Sequence, residues 1–294
     1  MKTYNDVYLE TRRALRAAGS PDCSQEARIL LAAAADKTPA EFLRDLRLYP
    51  GGDFEQRAAD HLRRRLEGEP TAYIVGAWEF FGLELAVDPN VLIPRSDTEV
   101  VTEAALGYLR EKPDARVLDL CTGSGCIGLA LAANAPGCRV VLADFERRAL
   151  ILARQNVRNL GLSARCVPVE ADALAAPARQ LGEFDLIVSN PPYVPSGELG
   201  ALEPSVRDYE PWVALDGGED GLDFYRSIFG RWTAVLRPGG CLALECGEEQ
   251  SAELLRMGRE VGLTEAAVHR DTGGTERALT FRKPEEQEKT TVEI

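Results

Sequence analysis

Histidine is almost missing from this chain: His61 and His269 are the only two among 294 residues. The seven cysteines do not make up for it, because neither Cys121 with Cys126 nor Cys241 with Cys246 has a histidine beside it. Ligand type and spacing both fail for zinc, so no metal is expected. An odd number of cysteines, most of them inside apolar runs, reads instead as reduced, buried thiols. Long apolar runs are absent too. None reaches the roughly 18 residues that would suggest a membrane span, and Met1–Asp6 lacks the apolar core of a signal peptide. The expectation is a cytoplasmic protein with no membrane partner. Positive charge is also short, with 34 Lys and Arg against 47 Asp and Glu and a net charge of -13. An acidic surface repels phosphates, which disfavours duplex DNA and any direct nucleic-acid partner.

What is present falls into two patterns. Residues 4 to about 67 carry helical periodicity without a strand-like run: Tyr4–Ala18, a segment opened by Ser24 and running over Ala27–Ala35, then Pro39–Leu46 and Asp53–Glu67. Pro39 suits a first helical turn, and Pro50-Gly51-Gly52 breaks the chain between the last two segments. A small helical bundle over residues 1–70 is expected. From Tyr73 to Val87 the residues turn aromatic and β-branched, with Gly82 as the turn, which predicts a β-hairpin connector within 71–95.

After a helix that Ser96 or Asp97 could cap, strands and helices alternate: Arg116–Leu120, a helix from Gly125, Arg139–Asp144, a helix over Glu146–Leu160, Ala164–Val169 and Phe184–Ser189. Strands separated by single helices imply parallel pairing by right-handed crossovers, hence a doubly wound, Rossmann-like α/β domain over residues 96–283. The charged residues 284–294 read as a disordered tail.

Ligands of such sheets bind beyond the carboxyl ends of the strands, so strand ends carry the functional weight. Val117–Gly128 is a strand, a glycine turn and a helix start. Cys121, Thr122, Gly123, Ser124 and Gly125 form the turn, where glycine lets the backbone approach a ligand closely. Gly123-x-Gly125-x-x-Gly128 also matches a dinucleotide fingerprint, with Asp144 near the ribose-binding offset. Asp144 serves NAD or S-adenosylmethionine equally. Asp119 discriminates, because an acid at this strand end repels a pyrophosphate and attracts a sulfonium. The competing reading is that Asp119 caps the glycine turn through backbone N–H groups. Asp172 and Ala173, after a third strand, are placed to reach the adenine. S-adenosylmethionine is the expected cofactor.

Phe184–Ser189 stops at Asn190-Pro191-Pro192-Tyr193. Two prolines remove two N–H donors, so the strand cannot continue and the Asn190 and Pro191 carbonyls stay free to accept. A planar nitrogen with two hydrogens can donate one to the Asn190 side-chain oxygen and one to the Pro191 carbonyl while Tyr193 stacks on the planar group. These four residues are the expected catalytic site, although Asn-Pro alone is also an ordinary turn starter.

The combined motifs resemble the HemK/PrmC family of protein glutamine N5-methyltransferases. They are Gly68–Gly76, Phe80–Leu83, Val91–Glu99, the glycine turn, Asn190–Tyr193 and Asp271-x-x-Gly274-x-x-Arg277. The resemblance implies a seven-stranded methyltransferase sheet and an N-terminal helical domain that docks peptide-chain release factors. It implies methylation of the glutamine in their Gly-Gly-Gln loop. A monomer is expected. Departures are Ser96 where the family commonly has Pro, Cys121 where Gly is frequent, Glu146 in place of Ser, and Ala173 at a position aromatic in some members. Two alternative acceptors share the acceptor motif: a glutamine of a large-subunit ribosomal protein, and the adenine N6 amine of a nucleic acid, which the acidic charge opposes.

Overall fold

The computed structural model describes residues 2–285, which divide into two compact units. The first is helical: α1 (Tyr4–Ala17), α2 (Cys23–Ala34), α3 (Pro39–Arg44), α4 (Phe54–Leu66) and α5 (Thr71–Val75). Thr3 with Asp6, and Thr38 with Glu41, form reciprocal capping boxes that start α1 and α3. Tyr4 meets Phe42 and Phe54 edge to face at 5.5 and 4.8 Å between ring centroids, at the centre of this unit's core.

Two local expectations fail here. Helix α2 begins at Cys23, so Ser24 lies inside its first turn instead of opening it. Tyr73–Val75 are helical and not a strand, because Pro70 precedes the turn and Gly76, left-handed at φ 73°, closes it. Flanking proline and glycine outweigh the β-branched composition. The hairpin is shorter than expected, with β1 (Ala77–Phe80) and β2 (Leu83–Ala86) joined through Phe81 and Gly82 at φ 52° and 74°. Two positive φ angles make this a type I′ connection.

The second unit is the α/β layer. Its elements are α6 (Thr98–Glu111), β3 (Arg116–Leu120), α7 (Cys126–Asn134), β4 (Arg139–Asp144), α8 (Arg147–Asn159), β5 (Cys166–Glu170) and β6 (Phe184–Ser189). After α9 (Pro204–Arg207), which belongs to the first unit, come α10 (Asp223–Arg231), β7 (Leu236–Glu245), α11 (Ser251–Glu260), β8 (Thr264–Arg270) and β9 (Glu276–Arg282). The seven strands run in the order β5-β4-β3-β6-β7-β9-β8. The first five are parallel, and β9 enters antiparallel between β7 and β8.

Alternate residues of each central strand face opposite cores. Val117, Leu186, Val188 and Ala243 pack with α6 and α7, whereas Leu118, Leu120, Ile187 and Leu242 pack with Tyr225, Ile228, Trp232 and Leu254 from the other face. Burial on both faces explains why these strands read as continuous apolar runs. Neither Ser96 nor Asp97 caps α6 with its side chain; Asp97 pairs instead with Arg277 at 3.1 Å. Arg277 also holds Asp271 at 3.0 Å, so the Asp271-Gly274-Arg277 motif ties the β8–β9 turn to the start of α6. Of the tail expected to be disordered, residues 286–294 lie outside the described residues.

Candidate active site

A cavity of about 250 Å³ opens at the carboxyl ends of β3, β4 and β6. It is lined by Cys121, Thr122, Gly123, Ser124, Asp144, Asp172, Ala173, Asn190 and Pro192. Four other expected site residues, Asp119, Gly125, Pro191 and Tyr193, do not line it.

The glycine turn is held by two carboxylates doing different work. Asp144 accepts from the Gly123 amide through one oxygen at 2.8 Å and from the Glu146 amide through the other at 2.9 Å, and burial raises its pKa. Gly123 itself sits at φ 55° with open space where a Cβ would stand, so the turn presents bare backbone to the cavity. Cys121 also has positive φ, 60°, a conformation that costs a non-glycine residue roughly 1–2 kcal/mol.

Asp119 is fully buried. Its Oδ2 accepts from Thr122 Oγ1 at 2.5 Å and Gly128 N at 2.9 Å, while Oδ1 has no partner among the described residues. Of the two roles open to it, this geometry supports closure of the turn. Burial pushes its carboxyl up to about 7, and that of Glu245, buried at the end of β7, up to about 8. A carboxyl whose folded pKa is raised costs no stability below its unfolded value, near 3.8 or 4.5 here, and costs progressively more as pH climbs toward the folded value. The ligand-free protein should therefore lose stability between pH 5 and pH 8. Asp119→Asn, which cannot ionise, should show a shallower loss in urea unfolding at the two pH values; a slope equal to that of the wild type would place the ionisation elsewhere.

Tyr193 is partly buried, and desolvation drives its phenol well above the ordinary range. Its carbonyl accepts from Gln250 Nε2 at 3.1 Å, and a Cβ on Gly221, at φ 75°, would stand 2.3 Å from that same oxygen. Gln250 and Gly221 thus clamp the backbone after Pro192. Asn190 donates from Nδ2 to Thr98 Oγ1 at 3.2 Å. Among the described residues no donor is bonded to Asn190 Oδ1 or to the Pro191 carbonyl.

Sequence reasoning missed several supporting residues. Thr98, Arg95, Phe145 and Val213 line the cavity. Asn156, buried in α8, accepts from Ala86 N at 2.8 Å and donates to Ala86 O at 3.0 Å and Ser124 O at 2.9 Å, tying β2 to the glycine turn. A lone asparagine on the apolar face of an amphipathic helix is the signal that marks it. Asp172 accepts from Leu174 N at 2.8 Å, and the Ala173 carbonyl accepts from Ser227 and Trp232.

The charges around the cavity discriminate between nucleotides. Asp144, Glu146 and Asp172 line it with a single guanidinium, Arg95. A pyrophosphate would be repelled by that set and a sulfonium favoured, so the residues present fit S-adenosylmethionine.

Comparison with known proteins agrees. A methyltransferase small domain profile matches residues 93–201 and a PrmC N-terminal domain profile matches residues 6–76. The release factor glutamine methyltransferase of Moorella thermoacetica is 41% identical over 278 residues, covering 94% of this chain and 97% of that protein. The protein of the same name from Bradyrhizobium diazoefficiens is 40% identical over 278 residues, covering 92% and 91%. That of Geobacter sulfurreducens is 45% identical over 220 residues, covering 74% and 75%. Among solved structures, the hMettl16 catalytic domain in complex with MAT2A 3'UTR hairpin 6 matches with a TM-score of 0.54 at 19% identity over 76% of this chain and 81% of that one. At that identity the likeness is one of fold alone.

Proposed function

The chain belongs to the release factor glutamine methyltransferase family, and from that premise we propose that Asn190-Pro191-Pro192-Tyr193 holds the amide nitrogen of the glutamine in the Gly-Gly-Gln loop of a peptide-chain release factor for methylation. The single observation that carries the placement is the pair of bare acceptors, Asn190 Oδ1 and the Pro191 carbonyl, beside a cavity of net negative lining. S-adenosylmethionine, the methyl donor, supplies when bound a methyl group on a positively charged sulfonium. Asp144 and the Gly123 backbone would hold its nucleoside, and Asp172 and Ala173, which line the same cavity, would serve its base.

An amide nitrogen is a poor nucleophile because its lone pair is shared with the carbonyl, a resonance whose full loss costs on the order of 18–20 kcal/mol. Asn190 Oδ1 and Pro191 O accept its two hydrogens and favour the tetrahedral nitrogen over the flat one, which is selective stabilisation of the transition state. Tyr193 walls the planar group. The alkylated amide nitrogen is a strong acid and releases its proton without a dedicated base, in keeping with a chain that has only two histidines.

Residues 1–70 serve as the docking domain, 71–95 as the connector and 96–283 as the catalytic domain. The match of residues 6–76 to the PrmC N-terminal profile and the separate helical core support a helical docking domain, although both extend past residue 70 to take in α5. The enzyme acts as a cytoplasmic monomer, on protein and not on nucleic acid, the choice of protein being supported by the charge of -13; among the described residues no helix is long and apolar enough to cross a membrane. The test is mass spectrometry of purified release factors, ribosomal proteins and nucleic acid after incubation with enzyme and donor. A mass gain of one methylene on a single release-factor glutamine is expected; a gain confined to a ribosomal protein or to adenine would overturn the reading.

A further inference from the structure

We infer that Asn156 is a positioning residue for the donor site: its carboxamide fixes the glycine turn and joins that turn to the β1–β2 hairpin, so that donor occupancy is felt at the hairpin. The inference rests on the reading that the turn over Cys121–Gly125 holds S-adenosylmethionine. Asn156 lies on the buried stripe of α8, with Ala149, Leu152 and Ala153 before it and Val157 after it, and is 1% exposed. A polar side chain placed there is cut off from water and must be matched by protein groups. Three backbone atoms match it. Its Oδ1 accepts from Ala86 N at 2.8 Å, and its Nδ2 donates to Ala86 O at 3.0 Å and to Ser124 O at 2.9 Å.

The direction of these bonds is fixed, because a backbone N–H only donates and a backbone carbonyl only accepts. The flipped carboxamide would set its NH₂ against the Ala86 N–H and its oxygen against two carbonyls. Both Nδ2 hydrogens are therefore spent, one on each element. Ala86 is the last residue of β2, which pairs only with β1, and it presents both polar groups of its backbone to Asn156. Ser124 stands between Gly123 and Gly125, at φ 55° and 88°, whose freedom lets the intervening peptides swing. The Ser124–Gly125 peptide is held at both ends, its carbonyl by Asn156 and its N–H by Thr122 O at 2.8 Å. Without Asn156 the carbonyl end is released. The turn, which lines the cavity through Gly123 and Ser124, would then sample arrangements that donor binding must suppress. The coupling is reciprocal: a donor that orders the turn also orders Ala86, although the hairpin does not line the cavity.

The test uses the full-length enzyme, with calorimetry for S-adenosylmethionine, turnover on a release factor, and amide hydrogen exchange followed at Ala86. In the wild type, saturating donor should slow exchange at Ala86 by about threefold or more. Asn156→Ala should raise donor Kd by roughly ten- to a hundredfold, the scale of buried backbone groups left unpaired. At saturating donor its kcat should stay within about threefold, because the acceptor motif is untouched. Donor should no longer slow exchange at Ala86 in that variant. Asn156→Asp has the same shape, but its carboxylate faces two carbonyls and cannot donate, so it should bind donor no better than the alanine variant. Should Asn156→Ala not fold, the wild-type exchange experiment decides alone: no slowing at Ala86 by donor would overturn the inference. A variant that melts earlier yet binds donor like the wild type would make Asn156 a structural residue only. Slowing that survives in Asn156→Ala would route the coupling past Asn156 and overturn it too. Undiminished donor binding by Asp144→Ala would instead take the turn out of the donor site, and the reading beneath the inference would fall.

Discussion

Asn190→Ala is expected to lower kcat by about a hundred- to a thousandfold, the scale seen when one preorganised partner of the reacting group is removed. The reasoning starts from the backbone. Ser189 is the last residue of β6, its hydroxyl bonded to Leu120 O at 2.6 Å, and the two prolines that follow prevent any further ladder. Asn190 is thereby fixed at the strand end, and its side chain is held by Thr98. Truncation leaves the Pro191 carbonyl as the lone acceptor, and one hydrogen of the substrate amide is then unpaired as the nitrogen becomes tetrahedral. The loss belongs to the transition state more than to the ground state, so it falls on kcat and leaves donor affinity within about fivefold. Stopped-flow or quenched single-turnover assays, with calorimetry for the donor, separate the two. Turnover within a few-fold of wild type would take Asn190 out of the chemistry, and a parallel collapse of donor binding would make it a cofactor ligand instead.

Much of the site was legible because its residues lie at the ends of elements that local pattern identifies. The apolar strands β3, β4 and β6 end in Leu120, Asp144 and Ser189, and the turn and acceptor motifs follow directly in sequence. What escaped was set by partners far along the chain. Thr98 meets Asn190 across 92 positions, Asn156 meets Ala86 across 70, and Gln250 meets Tyr193 across 57. No periodicity or spacing carries such a bond. The misreading of Tyr73–Val75 has a different origin: three residues favoured in strands were weighed above the Pro70 and Gly76 that punctuate a helical turn. The Rossmann-like alternation led from β3 to β6, but the reversal that inserts β9 between β7 and β8 depends on non-local pairing, and the seven-stranded order came only with the family resemblance. Asp119 shows the limit within a motif. Its position was read correctly as a strand end, yet its carboxylate bonds Thr122 and Gly128 and does not line the cavity. Sequence places a side chain on an element; which way it turns is decided by the donors around it.

Asp144→Ala should have the larger effect on the donor. In the ligand-free protein both Asp144 oxygens already accept backbone N–H groups, from Gly123 and Glu146, so the carboxylate shapes the turn as well as facing the cavity. Its remaining lone pairs suit the two hydroxyls of a ribose, each a charge-assisted bond worth about 1.5–3 kcal/mol. Removing them should weaken S-adenosylmethionine binding by roughly a hundredfold or more by calorimetry, with a further loss from the freed Gly123 amide. Asp144→Asn keeps one acceptor and should fall between alanine and wild type. The pH dependence supplies an independent check. Burial raises the Asp144 pKa, and ribose hydroxyls donate to the ionised form, so donor affinity should drop as pH falls through that raised value. The drop should be absent from Asp144→Asn, which has no proton to gain. An unchanged affinity in Asp144→Ala, or an acid limb that persists in the asparagine variant, would remove Asp144 from the nucleoside site and leave it a turn-forming residue only.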